Sequence, residues 1–389
     1  MGSPVGQQLV RRGPSVPDRP TVSVLVLVLD RLDLLGGCLD TVGRATTQAT
    51  ETVVVANGTP AAALAVLERR EDIVLVRSEV NLGFGGGCNL AAESARGDHL
   101  VFVNDDSRLA PGCVDHLLRR ALDEPGVGAV GSRIFAGDGS LQEAGGIIWS
   151  DGTTAHVGRD LPAGDAAYLT PREVDYCSAN GLLVPRSAWD AVGGFDEAYY
   201  PGYYEDADLC MKLRARGLGT VYEPTATLVH LETQSSSPSF RRFLMDRNRE
   251  TFRRRWSDAL VAHPPPPVTD RRGAIDARVA SGRTLPPLDV RAPWPDPVVG
   301  AGMAPPGRGG AEGEGDELVR LRREVDHAIR ALEVKDAYIA RLDGDLQTCR
   351  EREWRRTRWP RAVRRLGLRL RSAVPPEVKA KARSWRGDG

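Results

Sequence analysis

Between residues 21 and 252 the apolar positions fall into short runs rich in β-branched side chains, separated by polar stretches of helical length. Residues 22–29 and 52–56 are continuous apolar runs with polar flanks, the pattern of strands covered on both faces. Residues 73–76 and 100–103 repeat it, and residues 32–42, 60–70 and 111–123 are the helices expected between them. Repeated β–α–β order predicts an α/β fold with a mostly parallel sheet and right-handed crossovers. Ligands of such sheets gather at the carboxyl ends of the strands, so residues just past each strand are the first candidates for chemistry.

Outside this region the pattern changes. Residues 1–20, rich in Gly, Pro and Arg, read as a disordered leader, and the α/β domain is expected to fill 21–260. Four consecutive prolines at 264–267, with Pro and Gly recurring as far as Gly315, read as a linker over 261–315. A seven-residue repeat follows, with Leu318, Val325, Leu332, Ile339 and Leu346 on one position and Leu321, Ala328, Lys335, Leu342 and Cys349 on another. It predicts a coiled-coil helix over 316–350 and an oligomer formed through 318–349. A single amphipathic helix packed on the main domain is the competing reading. The last segment, 351–389, holds thirteen Lys/Arg against four Asp/Glu. Its Val363, Leu366, Leu370 and Val374 share one helical face, with Trp354, Trp359 and Trp385 nearby, which suits either peripheral contact with an anionic membrane or a solvated basic tail.

Composition narrows the function classes. The 389 residues carry 52 basic and 52 acidic side chains, so the whole chain offers no bulk charge for nucleic acid, and no RNA-binding motif accompanies the basic tail. Six cysteines without a C-x-x-C pair suit a reduced, cytoplasmic protein better than a disulfide or zinc framework. No secretory signal is expected in a start interrupted by Arg11, Arg12 and prolines, and the run at 22–29 is too short to cross a bilayer.

Two acidic clusters carry the candidate chemistry. The strand at 100–103 runs into Asn104-Asp105-Asp106, and neighbouring carboxylates at a strand end call for a cation. A divalent ion, Mn²⁺ or Mg²⁺, that also bridges the oxygens of a diphosphate would supply it; a turn or helix cap would use the same residues. The second cluster, Glu205, Asp206 and Asp208, opens a helix just after four tyrosines in the stretch 199–204. Carboxylates in a first turn complement the helix dipole, but three in four positions exceed that need, and one of them in an aromatic setting suits a general base. A glycine-rich loop, Asn81 to Asn89 with Gly83, Gly85, Gly86 and Gly87, lets backbone approach a ligand closely. As a dinucleotide fingerprint it lacks the third glycine. His230 stands at a further strand end.

These motifs, in this order and together with Val192-Gly193-Gly194-Phe195-Asp196-Glu197, resemble the family 2 inverting glycosyltransferases of GT-A fold, above all the rhamnosyltransferase-like group. The resemblance covers about residues 21–252. It implies a Rossmann-like catalytic domain in which Asp106 and His230 hold the metal, with Asn104 in place of the first acid of a DXD-type motif. Asp206 would be the catalytic base, and Asp105 would lie near the donor's ribose or diphosphate. Glu205 and Asp208 would orient the acceptor or support the helix, and Asn81, Gly83 and Asn89 would shape the donor pocket. The second strand ends in Ala56-Asn57-Gly58 where the family has an aspartate that reads the nucleobase, so Asn57 would pair with a pyrimidine edge through its amide.

The expected activity is therefore transfer of a sugar, such as rhamnose, from a UDP- or dTDP-sugar to a hydroxyl of a glycan or lipid-linked acceptor, with inversion, at the inner face of a membrane. An assembly protein with a vestigial sugar-binding domain is the alternative, and a nicotinamide oxidoreductase, suggested by the glycine loop alone, is a third.

Overall fold

The computed structural model describes residues 11–159, 168–231, 237–288, 330–342 and 344. The chain divides into two compact units, 1–332 and 333–389. In the first, thirteen strands and nine α-helices are described: β1 (Arg11–Arg12), β2 (Val22–Val28), α1 (Leu32–Ala45), β3 (Thr50–Asn57), α2 (Ala61–Leu67), β4 (Val74–Ser78), α3 (Gly83–Ser94), β5 (His99–Asn104), β6 (Ser107–Leu109), α4 (Cys113–Asp123), β7 (Val127–Ala136), β8 (Leu141–Glu143), β9 (Gly146–Ile148), β10 (Thr154–His156), β11 (Arg172–Val174), β12 (Leu182–Pro185), α5 (Arg186–Val192), α6 (Glu205–Arg214), β13 (Gly219–His230), α7 (Pro238–Arg255), α8 (Ser257–Leu260) and α9 (Arg271–Ala280).

The sheet runs β1-β4-β3-β2-β5-β12-β7-β13-β11, with β6 and β8 attached to β13 and β7. β4, β3, β2 and β5 are mutually parallel, as the β–α–β order requires, and β7 pairs parallel with β13. Between these two parallel blocks β12 pairs antiparallel with both β5 and β7, so the sheet is mixed. The β2 sequence VSVLVLV explains its central place. Val22, Val24, Val26 and Val28 pack with α1 and α4 side chains such as Leu35, Leu39 and Leu117 on one face. Leu25 faces the other core, with Leu90, Phe102, Trp189 and Phe195. Both faces exclude water, and the run is correspondingly apolar apart from the buried Ser23.

Two boundaries differ from those the composition suggests. Residues 11–20 belong to the fold, because Arg11–Arg12 pair with Leu75 and Val74 at the sheet edge. The Arg12 guanidinium lies 2.6 Å from the carboxylate of Glu51, which is fully buried and also accepts from Ser23 Oγ at 2.7 Å. A buried carboxylate needs such a counter-charge, and composition does not reveal which residue supplies it. Beyond the prolines the chain likewise returns to the domain. Ile275 of α9 and Leu285 are buried, Arg172 bridges to Thr284, and Arg278 donates to the buried Asp175 at 3.0 Å. Of the linker expected over 261–315, residues 261–288 are thus part of the folded domain, and 289–315 lie outside the described residues. Of the coiled coil expected over 316–350, residues 330–342 and 344 are helical and the remainder is outside the described residues, as is the whole tail 351–389. Among the described residues no helix is long and apolar enough to cross a membrane.

The glycine-rich stretch is a helix, not a loop. Gly83 starts α3 with φ +70°, and a Cβ there would stand 2.8 Å from the Pro201 carbonyl oxygen and from Tyr200 Cδ2. A Cβ on Gly87 would run into Leu27 of β2. The glycines let a helix press against a strand and a loop, which is why a run of low helix propensity is helical here. Gly83→Ala combines an unfavourable backbone conformation with a backbone collision, and is expected to lower unfolding free energy by about 2 kcal/mol, read by chemical denaturation.

Candidate functional site

The first cluster is assembled by strand pairing. β5 delivers Asn104 at the sheet's carboxyl edge, the chain turns through Asp105 and Asp106, and β6 pairs antiparallel with the end of β13, Ser107 opposite His230. This brings His230 Nε2 to 3.0 Å from Asp106 Oδ1, with Asn104 Nδ2 at 3.3 Å from the same ring nitrogen. The turn is pinned by Asn180, whose side-chain oxygen accepts from Asn104 N at 3.1 Å and Ser107 Oγ at 2.9 Å. Burial, with Asp106 beside it, lifts the Asp105 carboxyl to about 7 against the opposing pull of Arg31. A second proton or a cation is what two adjacent carboxyls in this setting require.

Among the described residues no group of three metal-ligating side chains is assembled. Asp106 and His230 still fit a divalent ion that completes its shell with phosphate oxygens and water, since Mg²⁺ and Mn²⁺ bind such sites through one or two protein ligands. One carboxylate and one imidazole converging within 3.0 Å form such a pair, and the imidazole favours Mn²⁺ over Mg²⁺.

The second cluster sits at the start of α6. Tyr203 and Tyr204 both have left-handed backbone, φ +77° and +79°. Such a conformation persists in bulky residues only where the surroundings enforce it. Here the enforcing group is Asn248 of α7, fully buried, whose amide donates to the carbonyls of Tyr199, Gly202 and Tyr203 at 2.9–3.0 Å. Tyr204 OH adds a bond to Gly152 O at 3.0 Å.

The three carboxylates of this cluster have separate fates. Asp208 is fully buried and accepts from Trp256 Nε1 at 2.8 Å, Tyr199 OH at 3.0 Å and Arg255 at 3.1 and 3.2 Å. Its oxygens are committed to tying α6 to α7 and α8, so of the two roles expected for it, helix support is the one its contacts serve. Glu205 is buried with Oε2 lacking a hydrogen-bond partner among the described residues, and burial together with Asp206 pushes its carboxyl well above the usual carboxylate range. Asp206 is half-buried and forms no ion pair among the described residues; one oxygen accepts from Ala207 N at 2.7 Å. Burial raises it to about 6, with Glu143 adding to the shift and His156 opposing it.

Glu143 and His156 are residues that strand pattern and motif order did not single out. Glu143 is fully buried at the end of β8, 2.8 Å from His156 Nδ1 on β10, and its other oxygen accepts from Ser178 N at 2.8 Å. Burial works against both charges, yet their mutual attraction holds Glu143 below and His156 above the ordinary values. The imidazole whose charged form this pair favours acts electrostatically on Asp206. Nothing in the local pattern of residues 141–156 marks these positions, because the partners meet only once β8 and β10 come together in the fold.

The asparagines expected to line a donor pocket are largely engaged elsewhere. Asn57 is buried; it accepts from Leu82 N at 2.8 Å and donates to Gly83 O at 3.1 Å and Asn81 Oδ1 at 3.3 Å. Its amide pins the entry to α3, which leaves no free edge for a nucleobase. Asn81 Oδ1 caps the same turn, accepting from Gly83 N at 2.8 Å. Asn89 pairs with both backbone groups of Phe195 at 2.9 and 3.0 Å, fixing the Gly193-Gly194-Phe195 turn.

In a mixed α/β domain of this kind ligands gather beyond the carboxyl ends of the strands, where Asp105 and Asp106 follow β5. Residues 23–178 match glycosyl transferase family 2, and the chain carries a domain of that family. The match takes in Asp105, Asp106, Glu143 and His156 and stops before Asp206 and His230. The chain is 34% identical over 202 residues to an N-acetylglucosaminyl-diphospho-decaprenol L-rhamnosyltransferase of Mycobacterium tuberculosis, covering 46% of this chain and 64% of that protein. It is 31% identical over 228 residues to the O-antigen biosynthesis protein RfbC of Myxococcus xanthus, covering 56% of this chain and 18% of that protein. It is 29% identical over 262 residues to the protein y4gI of Sinorhizobium fredii, covering 63% and 28%. The chain thus spans less than two thirds of each relative.

The contrast between the two aspartates of α6 is testable by paired thermal melts. Asp208→Ala strips Arg255 and Trp256 of their buried acceptor and is expected to cost about 3 kcal/mol. Asp206→Ala removes a burial-strained carboxylate and is expected to leave the melting temperature at pH 8 unchanged or raised.

Proposed function

We propose that this chain is a metal-dependent glycosyltransferase of GT-A type that moves a sugar from a nucleoside-diphosphate sugar to an acceptor hydroxyl with inversion. The observation that carries the reading is the separation of roles between two acidic clusters: a carboxylate–imidazole pair past β5 and β13, and a half-buried, unpaired Asp206 at the start of α6. Asp106 and His230 would hold the divalent ion, which supplies positive charge to the departing diphosphate. Asp206 takes the acceptor proton, and its raised affinity for that proton suits a general base working near neutral pH. His156, held by Glu143, keeps Asp206 ionisable despite burial, and Glu205 offers a neutral hydroxyl donor beside it. With Asn57 committed to the α3 turn, discrimination between UDP and dTDP falls to other groups.

The relatives named for rhamnosyl transfer and O-antigen synthesis support rhamnose as the sugar and a cell-surface polysaccharide or lipid-linked glycan as the acceptor. Work on a lipid-linked acceptor at the inner face of a membrane is the setting in which the basic segment 351–389 has a use, and the heptads over 318–349 would supply an oligomer.

Two measurements test the assignment. UDP or dTDP is expected to bind in calorimetry only with Mn²⁺ present, and Asp106→Ala is expected to abolish that metal-dependent part; nucleotide binding indifferent to chelator would refute the donor site. Because Asp206 must be ionised to act, kcat/KM is expected to fall tenfold per pH unit below about 6 and to level off above it. His156→Gln removes the opposing positive charge and should move that limb to higher pH, while Asp206→Asn should abolish transfer and preserve donor binding.

A further inference from the structure

The ring of His230 is held from both sides, and the two sides make different demands. On the Nε2 side, Asp106 Oδ1 at 3.0 Å accepts from a protonated nitrogen, whereas Asn104 Nδ2 at 3.3 Å donates to a bare one. That side therefore accommodates either tautomer, and the partner of Nδ1 decides between them. That partner is the side-chain amide of Gln142, with its nitrogen 2.9 Å from Nδ1 and its Oε1 buried without a hydrogen-bond partner among the described residues.

Gln142 is placed by its strand. In β8 the neighbouring Leu141 and Glu143 are both buried, Leu141 opposite Phe135 and Glu143 opposite Ile134 of β7. Glu143 is further fixed by His156 and Ser178. The register of β8 against β7 shifts between Ile134 and Phe135, and at this irregularity Gln142 is half-buried with its amide against the ring of His230; β7 carries β13 on its far side with Ala136 opposite His230. The amide is thus delivered to the imidazole by two strand pairings and not by a mobile loop.

We infer that Gln142 is a positioning residue that switches the tautomer of His230, donating to Nδ1 in the metal-free protein and accepting from Nδ1–H when Nε2 must offer its lone pair to a divalent cation. The inference rests on the metal reading proposed above. An amide suits this task because a half-turn about its last torsion exchanges an acceptor for a donor of nearly the same shape. A carboxylate could only accept, and a leucine could do neither. The exchange is proton-neutral: Nε2 loses a proton to solvent and Nδ1 gains one. It also gives the orphaned Oε1 a partner in the loaded state, where a metal-bound histidine ordinarily donates its second N–H.

The test uses the full chain with UDP or dTDP and has two arms. In ¹⁵N-histidine spectra of the wild type, the His230 signals, identified by their loss in His230→Asn, are expected to change from the Nε2–H to the Nδ1–H pattern on addition of Mg²⁺. The same tautomer in both states overturns the switch. In calorimetry, Gln142→Leu is expected to weaken Mn²⁺ binding about 10–100-fold, with Gln142→Glu close to the wild type. Equal Mn²⁺ affinity in Gln142→Leu overturns the inference and leaves the metal site standing, whereas absence of Mn²⁺ binding in the wild type overturns both. Should Gln142→Leu fail to fold, the wild-type spectra alone decide.

Discussion

Water withdrawn from a carboxylate has to be replaced by charge or by hydrogen bonds, and this one requirement organises the molecule. Glu51 takes Arg12, Glu223 takes Arg120 at 2.8 Å, Asp175 gathers Arg214 and Arg278, Asp208 takes Arg255 and Trp256, and Glu143 takes His156. Each pair joins segments far apart in the chain, and several fasten the periphery to the sheet: the first strand, the segment after the prolines, and helices α7 and α8. Three carboxyls, Asp105 past β5 and Glu205 and Asp206 at the start of α6, form no such ion pair among the described residues. Asp105, Glu205 and Asp206 are held toward their protonated forms by burial, each beside another acid. The carboxylates that build the fold are neutralised from within, and those that remain are placed where a ligand's charge or proton would complete them.

The same logic separates residues that touch a ligand from residues that shape its surroundings. Asparagine appears repeatedly near the site: Asn57, Asn89 and Asn248 bond backbone groups of neighbouring turns, and the Asn180 side-chain oxygen accepts from Asn104 N and Ser107 Oγ. An amide offers a donor and an acceptor in one plane, which matches an exposed peptide edge, so it is well suited to hold an irregular loop. The loops so held present Asp105 and Asp106 on one side and Tyr204 to Asp206 on the other. Gln142 applies the same chemistry to an imidazole.

The antiparallel strand β12 has a comparable structural role. It joins the parallel block β4-β3-β2-β5 to the pair β7 and β13, so that β5, which ends in Asn104, and β13, which ends in His230, belong to one continuous sheet. The glycines of α3 serve that arrangement too, bringing the helix against Leu27 and the tyrosine loop, which a run of larger residues would hold apart.

Much of this was legible in the sequence, because the features concerned depend on near neighbours along the chain. Continuous apolar runs marked β2, β3, β4 and β5, helical spacing marked α1, α2 and α4, and acids directly after a strand marked Asp105 and Asp106, since burial and strand direction are written into periodicity. The motif order identified the family domain for the same reason. What tertiary structure alone decided was how each polar group is satisfied. The glycine run became a helix because Leu27 and Pro201 required close approach, Asn57 and Asp208 became fastenings because their partners arrive from residues 82–83 and 255–256, and Arg12 and Ile275 joined the fold through contacts that composition cannot show. Glu143, His156 and Gln142 acquire meaning only through strands that meet in space. A hydrogen bond or ion pair is settled by which groups come within about 3 Å, and for residues a hundred positions apart that distance is set by the folded sheet.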